Sequence, residues 1–269
     1  MTRFLGATVL AVLMATAGAF GQDFFPRGRG QERERFPRRD AQPDAETTGN
    51  QPYDGRLVFV RLRYSTGFSG FGFGRGNRDP GWAHDYPTAD IHMMKILNEI
   101  TIVRPRIDGS NVFGLEDAEL HSYPIAYMSE PGGWSVGEEE AAGLRSYLLK
   151  GGFIIFDDFR GYDWENLVDQ MRQVLPEHHW VQLDSTHPIF HSFFEIDDLQ
   201  YLTSYGGAMP TYYGMFEKND PTKRLIAIAN RDGDLGEYWE FSDTGYVPVD
   251  LSNQAYKFGV NYFIYALTH

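Results

Sequence analysis

Residues 123–159 read YPIAYMSEPGGWSVGEEEAAGLRSYLLKGGFIIFDDF. Tyr123, Ile125, Ala126, Tyr127 and Met128 form a short apolar run with the composition of a strand. Ser135, followed three residues later by Glu138, has the spacing of a capping box, and Leu144, Tyr147 and Leu148 line one helical face. Gly151 and Gly152 supply an exit turn, and Phe153 to Phe156 form a second buried strand that ends on Asp157 and Asp158. Strand, helix and strand within about 35 residues predict a right-handed crossover in a mostly parallel sheet. Such sheets bind ligands beyond the carboxyl ends of their strands. Ser129, Glu130, Asp157 and Asp158 stand at those ends, so the stretch predicts an architecture and a place for a site, but no particular reaction.

Toward the amino terminus, Leu57 to Tyr64 is rich in β-formers and predicts the first strand. In the long loop Ser65 to Gly81, Phe68, Phe71 and Phe73 alternate with Gly67, Gly70, Gly72, Gly74 and Gly76, which suits either a lid or rings folded back as packing. The loop contains no G-x-G-x-x-G, and no lysine follows a glycine as a P-loop requires, so nucleotide phosphates have no cradle there. Pro87 and Thr88 open a helix to about Ile100, with Ile91, Met94 and Leu97 on one face and Asp90 in the first turn. Thr101 to Ile107 predicts a second strand, which Pro105 assigns to an edge.

Toward the carboxyl terminus, a helix over Trp164 to Leu175 stops at Pro176, and strands follow at Trp180 to Leu183 and Leu225 to Ala229. Asp232-Gly233 has the form of a hairpin turn leading into Tyr238 to Phe241. Asn253 is placed to cap a last helix carrying Tyr256, Val260, Phe263, Ile264 and Leu267.

Composition bounds the function. Arg3, the apolar Phe4 to Ala15 and the Ala17-Gly18-Ala19 motif make residues 1–21 resemble a secretory signal, so a periplasmic or extracellular location is expected, with a retained anchor as the rival. Residues 22–52 hold six Arg, six acidic residues and four Pro, the composition of a disordered tether, with a basic cluster from Arg27 to Arg39. Residues 53–269 suffice for one α/β domain, and no later run is long enough to span a bilayer. This part carries 17 basic and 31 acidic residues, a field that repels nucleic acid. The absence of cysteine excludes disulfides, thiolate metal sites, a cysteine nucleophile and lipid attachment through an N-terminal cysteine.

Several polar groups have the chemistry of a site. His84, Asp85 and Asp90 flank the first helix, where they can bind a ligand or metal, or simply complement the helix dipole. Asp157 and Asp158 should point to opposite sides of their strand, one toward the cleft and the other toward a turn or Arg160. Asp184, His187, His191 and Glu195 recur every three or four residues, as metal ligands on a helix do, although Pro188 interrupts the stack. Asp232 to Glu237 resembles part of a calcium loop but lacks its third oxygen ligand and its closing acid, and reads as a tight turn.

Four segments then carry a resemblance: Gly81-Trp82-Ala83-His84-Asp85-Tyr86-Pro87-Thr88-Ala89-Asp90, Tyr123-Pro124-Ile125-Ala126-Tyr127, Gly151-Gly152-Phe153-Ile154-Ile155-Phe156-Asp157-Asp158 and His187-Pro188-Ile189-Phe190. Together they resemble the domain of unknown function 4159 family, itself similar to the class I glutamine amidotransferase-like group. The resemblance implies a flavodoxin-like three-layer α/β/α sandwich. Glutaminases of that group carry a cysteine on a sharp turn after a central strand, where this chain has Met128-Ser129-Glu130-Pro131-Gly132. Glutamine hydrolysis by a thiolate is therefore excluded, and Ser129 lacks the G-x-S-x-G context of a replacement nucleophile. The family's polar positions correspond to Asp85, Asp90, Asp157, Asp158, His187 and Asp243. The expectation is an exported domain that binds a small molecule, glycan or cell-envelope partner in an acidic cleft with no glutaminase reaction. The alternatives are a hydrolase assisted by a divalent metal, with Asp85, Asp157, Asp158 and His187 as catalytic candidates and Asp158, His187 and His191 as metal ligands, and an envelope scaffold. No motif calls for a cofactor; a divalent ion is the one these side chains would accept.

Overall fold

The computed structural model describes residues 49–66, 81–200, 202 and 208–269. The signal-like residues 1–21, most of the Arg/Pro-rich segment and the Phe-Gly loop lie outside the described residues. The expected crossover is present: β3 (Ile125–Ser129), α2 (Glu138–Leu149) and β4 (Phe153–Phe159), with β3 and β4 parallel from Ile125 beside Phe153 to Ser129 beside Asp157. The helix starts later than the Ser135 spacing predicts. Gly137 is its N-cap, and Glu140 Oε2 accepts the Gly137 N–H at 2.9 Å.

β1 (Phe59–Arg63) leads through a 3-10 turn to α1 (Thr88–Ile100), and β2 (Ser110–Gly114) lies parallel beside β1 at the sheet edge. The second strand thus falls after Thr101 to Ile107. In that stretch Arg104 has φ +51°, which ends pairing, and Ile102 is 96% exposed. β2 is polar yet buried because its polar groups are matched. Val112 exchanges backbone–side-chain bonds with Asn50, and Asn111 bonds Gln51 and Tyr123. Residues 50 and 51 are therefore bonded to the folded domain, although they fall within the segment 22–52 whose composition predicts a tether.

After β4 come α3 (Asp163–Val174), the short β5 (Val181–Gln182), β6 (Thr211–Phe216), β7 (Leu225–Arg231), α4 (Leu235–Glu240) and α5 (Val249–Thr268). The predicted hairpin strand at Tyr238 to Phe241 is instead α4: Asp234 caps it by accepting the Glu237 N–H at 3.0 Å. α5 begins four residues before Asn253, with Pro248 at its N-cap. The seven-stranded sheet has the order β2-β1-β3-β4-β7-β6-β5, in which β6 runs antiparallel to both its neighbours, β7 and β5, and the other pairings are parallel. The five parallel strands follow the 2-1-3-4-5 order of doubly wound sheets.

Side-chain alternation assigns the two faces. Phe59, Ile125, Tyr127, Phe153 and Ile155 pack with α1, α4 and α5, whereas Val58, Val60, Leu62, Ala126, Ile154 and Phe156 pack with α2 and α3. The result is a three-layer α/β/α domain with a core on each face. Among the described residues no helix is long and apolar enough to cross a membrane.

Candidate functional site

In this strand order the crossovers diverge between β1 and β3, which opens a crevice at their carboxyl ends. The β1 side of the crevice hangs on Arg61. Its side chain is fully buried on the α1 face, 5.0 Å from the Tyr127 ring. Its guanidinium donates to Asp90 (Nη2 to Oδ1, 2.5 Å), to the Trp82 carbonyl (3.1 Å) and to the His84 carbonyl (2.7 Å). Asp90 is therefore the counter-ion of a positioning arginine rather than a ligand group of the cleft, and the pair holds residues 82–84 over the end of β1.

The chain then presents His84 and Asp85. His84 Nδ1 lies 2.6 Å from Asp158 Oδ2, 3.5 Å from Asp85 Oδ1 and 3.7 Å from Glu130 Oε1. Asp158 comes from the end of β4, Glu130 from the turn after β3, and α4 after β7 brings Asp234, Glu237 and Glu240. Four strand ends thus supply one cluster. His84, Asp85 and Asp158 each offer a ligand atom within 4.8 Å of the others, and so do Asp85, Glu237 and Glu240. Asp85 and Asp158 are buried, while the side chains of His84 and Glu130 are 26% and 34% exposed and form the open side.

Backbone strain is concentrated here. Asp85, Glu130, Asp158 and Asp232 adopt left-handed backbone with φ of 62°, 47°, 54° and 59°, a conformation that costs a side-chain-bearing residue roughly 1–2 kcal/mol. The twist at Asp158, with the register shift between Phe156 and Phe159, turns its carboxylate toward His84. Tyr64 points its hydroxyl at the Ser129 and Glu130 carbonyls (3.0 and 2.6 Å) and so anchors the Glu130 turn. Gly236 lets α4 approach closely, because a Cβ there would meet Asp85 Oδ2 at 2.4 Å and Tyr127 Oη at 2.9 Å.

The electrostatics are those of crowded carboxylates. Burial pushes Asp85 well above the usual carboxylate range; the His84 charge opposes this, while Asp158, Glu237 and Glu240 add to it. Asp234 is raised in the same way, by burial and then by Asp158 and Asp85. Glu237 is pushed up to about 7, again mainly by burial. Burial also disfavours a charged His84, but Asp85, Asp158 and Glu130 outweigh it and raise the imidazolium to about 12. Asp158 is the exception: against its own desolvation, the bond and charge of His84 with the charge of Arg160 hold it below the usual value. With every carboxylate ionised, neither oxygen of Asp85 has a hydrogen-bond donor among the described residues. A buried carboxylate without partners is expensive.

Several predicted site residues do other work. Asp157 is fully buried and saturated: it accepts from Tyr127 Oη (2.8 Å), Asn230 Nδ2 (2.8 Å) and the backbone N–H groups of Leu235 (2.8 Å) and Gly236 (3.1 Å). It fastens the start of α4 to the sheet and leaves nothing for a ligand. Ser129 is sealed beneath the turn, fully buried. His187 caps a 3-10 turn through Nδ1 to the Ile189 N–H (3.2 Å), and its ring packs on Phe216 and Tyr265. Phe216 pairs with Leu225 at the amino end of β7, the opposite edge of the sheet from the cluster. His191 binds Glu195 and the Ser185 carbonyl, and Asp184 caps Thr186, so the predicted metal stack dissolves into local bonds. Asp243 lies beyond α4, its Oδ2 3.7 Å from His92 Nε2. The groups that the sequence did not nominate are Asp234, Glu237 and Glu240. Asp234-x-x-Glu237 has the spacing of a capping box, and Glu237 and Glu240 share a helical face, a signal hidden by the hairpin-like Asp232-Gly233.

Fold and cluster together define an α/β protein with an acidic, histidine-bearing site at the switch point of a parallel sheet. Residues 58–267 match the family described as Domain of unknown function (DUF4159), and the chain belongs to that family. No curated protein matches the chain.

Proposed function

We propose that the cleft binds a divalent cation through His84, Asp85 and Asp158, and that this ion holds an oxygen-bearing small molecule for metal-assisted hydrolysis. One observation carries the reading: Asp85 is buried with both oxygens lacking donors, and it faces an imidazole and further carboxylates. A bound cation supplies the partner that such a group otherwise lacks. One imidazole among carboxylates suits manganese, zinc or ferrous iron, and the partly exposed His84 and Glu130 leave room for substrate or water.

The amidotransferase-like kinship belongs to the same reading. The left-handed Glu130 after β3 supports it, since glutaminases of that group place their cysteine on such a turn. Cation chemistry here replaces thiol chemistry. Export is part of the proposal, supported by the composition of residues 1–21. A chain isolated from cells that begins after Ala19 supports export, and one that begins at Met1 opposes it.

Chelator-treated protein should melt higher when Mn²⁺ is added, because an ion that binds only the native state stabilises it by about 2.7 kcal/mol at a hundredfold excess over Kd. The Asp85→Asn variant should show no such response. A wild-type melting temperature indifferent to Mn²⁺, Zn²⁺ and Mg²⁺ would defeat the reading.

A further inference from the structure

We infer that the cleft is built for two metal ions bridged by Asp85, a conclusion that rests on the single-ion reading above and extends it. Two triads meet at this residue: His84 and Asp158 on one side, Glu237 and Glu240 on the other, each within 4.8 Å of an Asp85 oxygen and of each other. Asp85 has two buried oxygens and no donor for either. An ion bound through a single oxygen would leave the second orphaned, whereas a carboxylate bridging the two triads satisfies both. Ions joined in this way stand about 3.5–4 Å apart, the separation of two-metal hydrolytic centres.

The surroundings fit this arrangement. Glu237 and Glu240 on one side and Asp158 on the other bring ligand oxygens within 4.8 Å of one on Asp85. Carboxylates brought that close repel one another unless protons or cations stand between them. His84 and Arg160 are the cationic groups acting on Asp158, and Arg61 is committed to Asp90. The α4 register is held for this purpose: Asp157 grips its first backbone N–H groups, Asp234 caps it, and Gly236 lets it close on Asp85.

The two sites differ in donor type. The His84 side offers nitrogen and oxygen, while the Glu237 and Glu240 side is all oxygen and suits magnesium, manganese or calcium. Such a pair binds an oxyanion across both ions, so the substrate class is a phosphate ester rather than a neutral glycoside.

The test is a titration of chelator-treated full-length protein with Mn²⁺ alone, read by metal analysis after desalting and by electron paramagnetic resonance. Two ions per chain with an exchange-coupled spectrum are expected, and the Glu240→Gln variant should hold one ion with an uncoupled spectrum. One ion per wild-type chain overturns the bridged pair and leaves the single-ion reading standing. Two ions that persist in Glu240→Gln also overturn the placement, and no bound ion overturns both proposals.

Discussion

Two sets of buried charge lie on either side of residues 82–84, and they are built on opposite principles. Arg61 and Asp90 are both fully buried, and Arg61 spends its donors on Asp90 and on two carbonyls. Asp85, five residues before Asp90, is almost as deeply buried, faces more carboxylates and has no donor. A charge satisfied by its own fold serves to hold the backbone, whereas one left unsatisfied marks where something from outside is expected. Asp157 and Asp158 repeat the contrast on adjacent residues: the first is saturated by four donors, and the second faces the histidine.

The contrast breaks most visibly at Arg61. Arg61→Met leaves Asp90 buried alone and releases the carbonyls of Trp82 and His84, and it should cost about 3–5 kcal/mol in urea unfolding. If stability is unchanged, Arg61 does not hold the loop. Asp85→Asn should act in the opposite direction. It removes a group that must either hold a proton or stand as an unpartnered charge, so the metal-free protein should gain about 1 kcal/mol, a rise in melting temperature of about 2–4 °C for a domain of this size. A destabilised Asp85→Asn protein would place Asp85 with the structural charges.

A smaller effect comes from His187, far from the cluster. Burial lowers its folded-state pKa to about 4, below the unfolded value of 6.5. The unfolded chain therefore takes up the proton first, and stability should decline as the pH falls from about 6.5 toward 4. His187→Gln should flatten that part of the stability profile without changing metal uptake. A loss of metal in this variant would return His187 to the site.

How much of this was legible in the sequence depended on whether local signals agreed. The β3-α2-β4 unit and α1 were readable because apolar spacing, proline or glycine punctuation and length all pointed the same way. β2 was misplaced because its polar Ser110 and Asn111 look exposed, and only the partners Asn50, Gln51 and Tyr123 make their burial tolerable. β6, with Gly214 at its centre, gave no apolar run. A Cβ at Gly214 would press on the Leu225 and Leu183 side chains, contacts made only in the folded sheet. The site was half visible. The rule for parallel sheets pointed to Glu130 and Asp158, and the residues flanking α1 pointed to His84 and Asp85. α4 escaped because Tyr238, Trp239 and Phe241 have strand propensity, while Asp157 and the Asp234 cap impose a helix. Propensity over six residues is weaker than three backbone hydrogen bonds made to buried carboxylates.

The most direct measurement is an anomalous-difference map from crystals of the chelator-treated protein soaked in Mn²⁺. The account predicts density about 2.0–2.3 Å from His84 Nδ1 and from oxygens of Asp85 and Asp158. A cleft without a peak, in crystals that bind manganese only at exposed carboxylates, would contradict it.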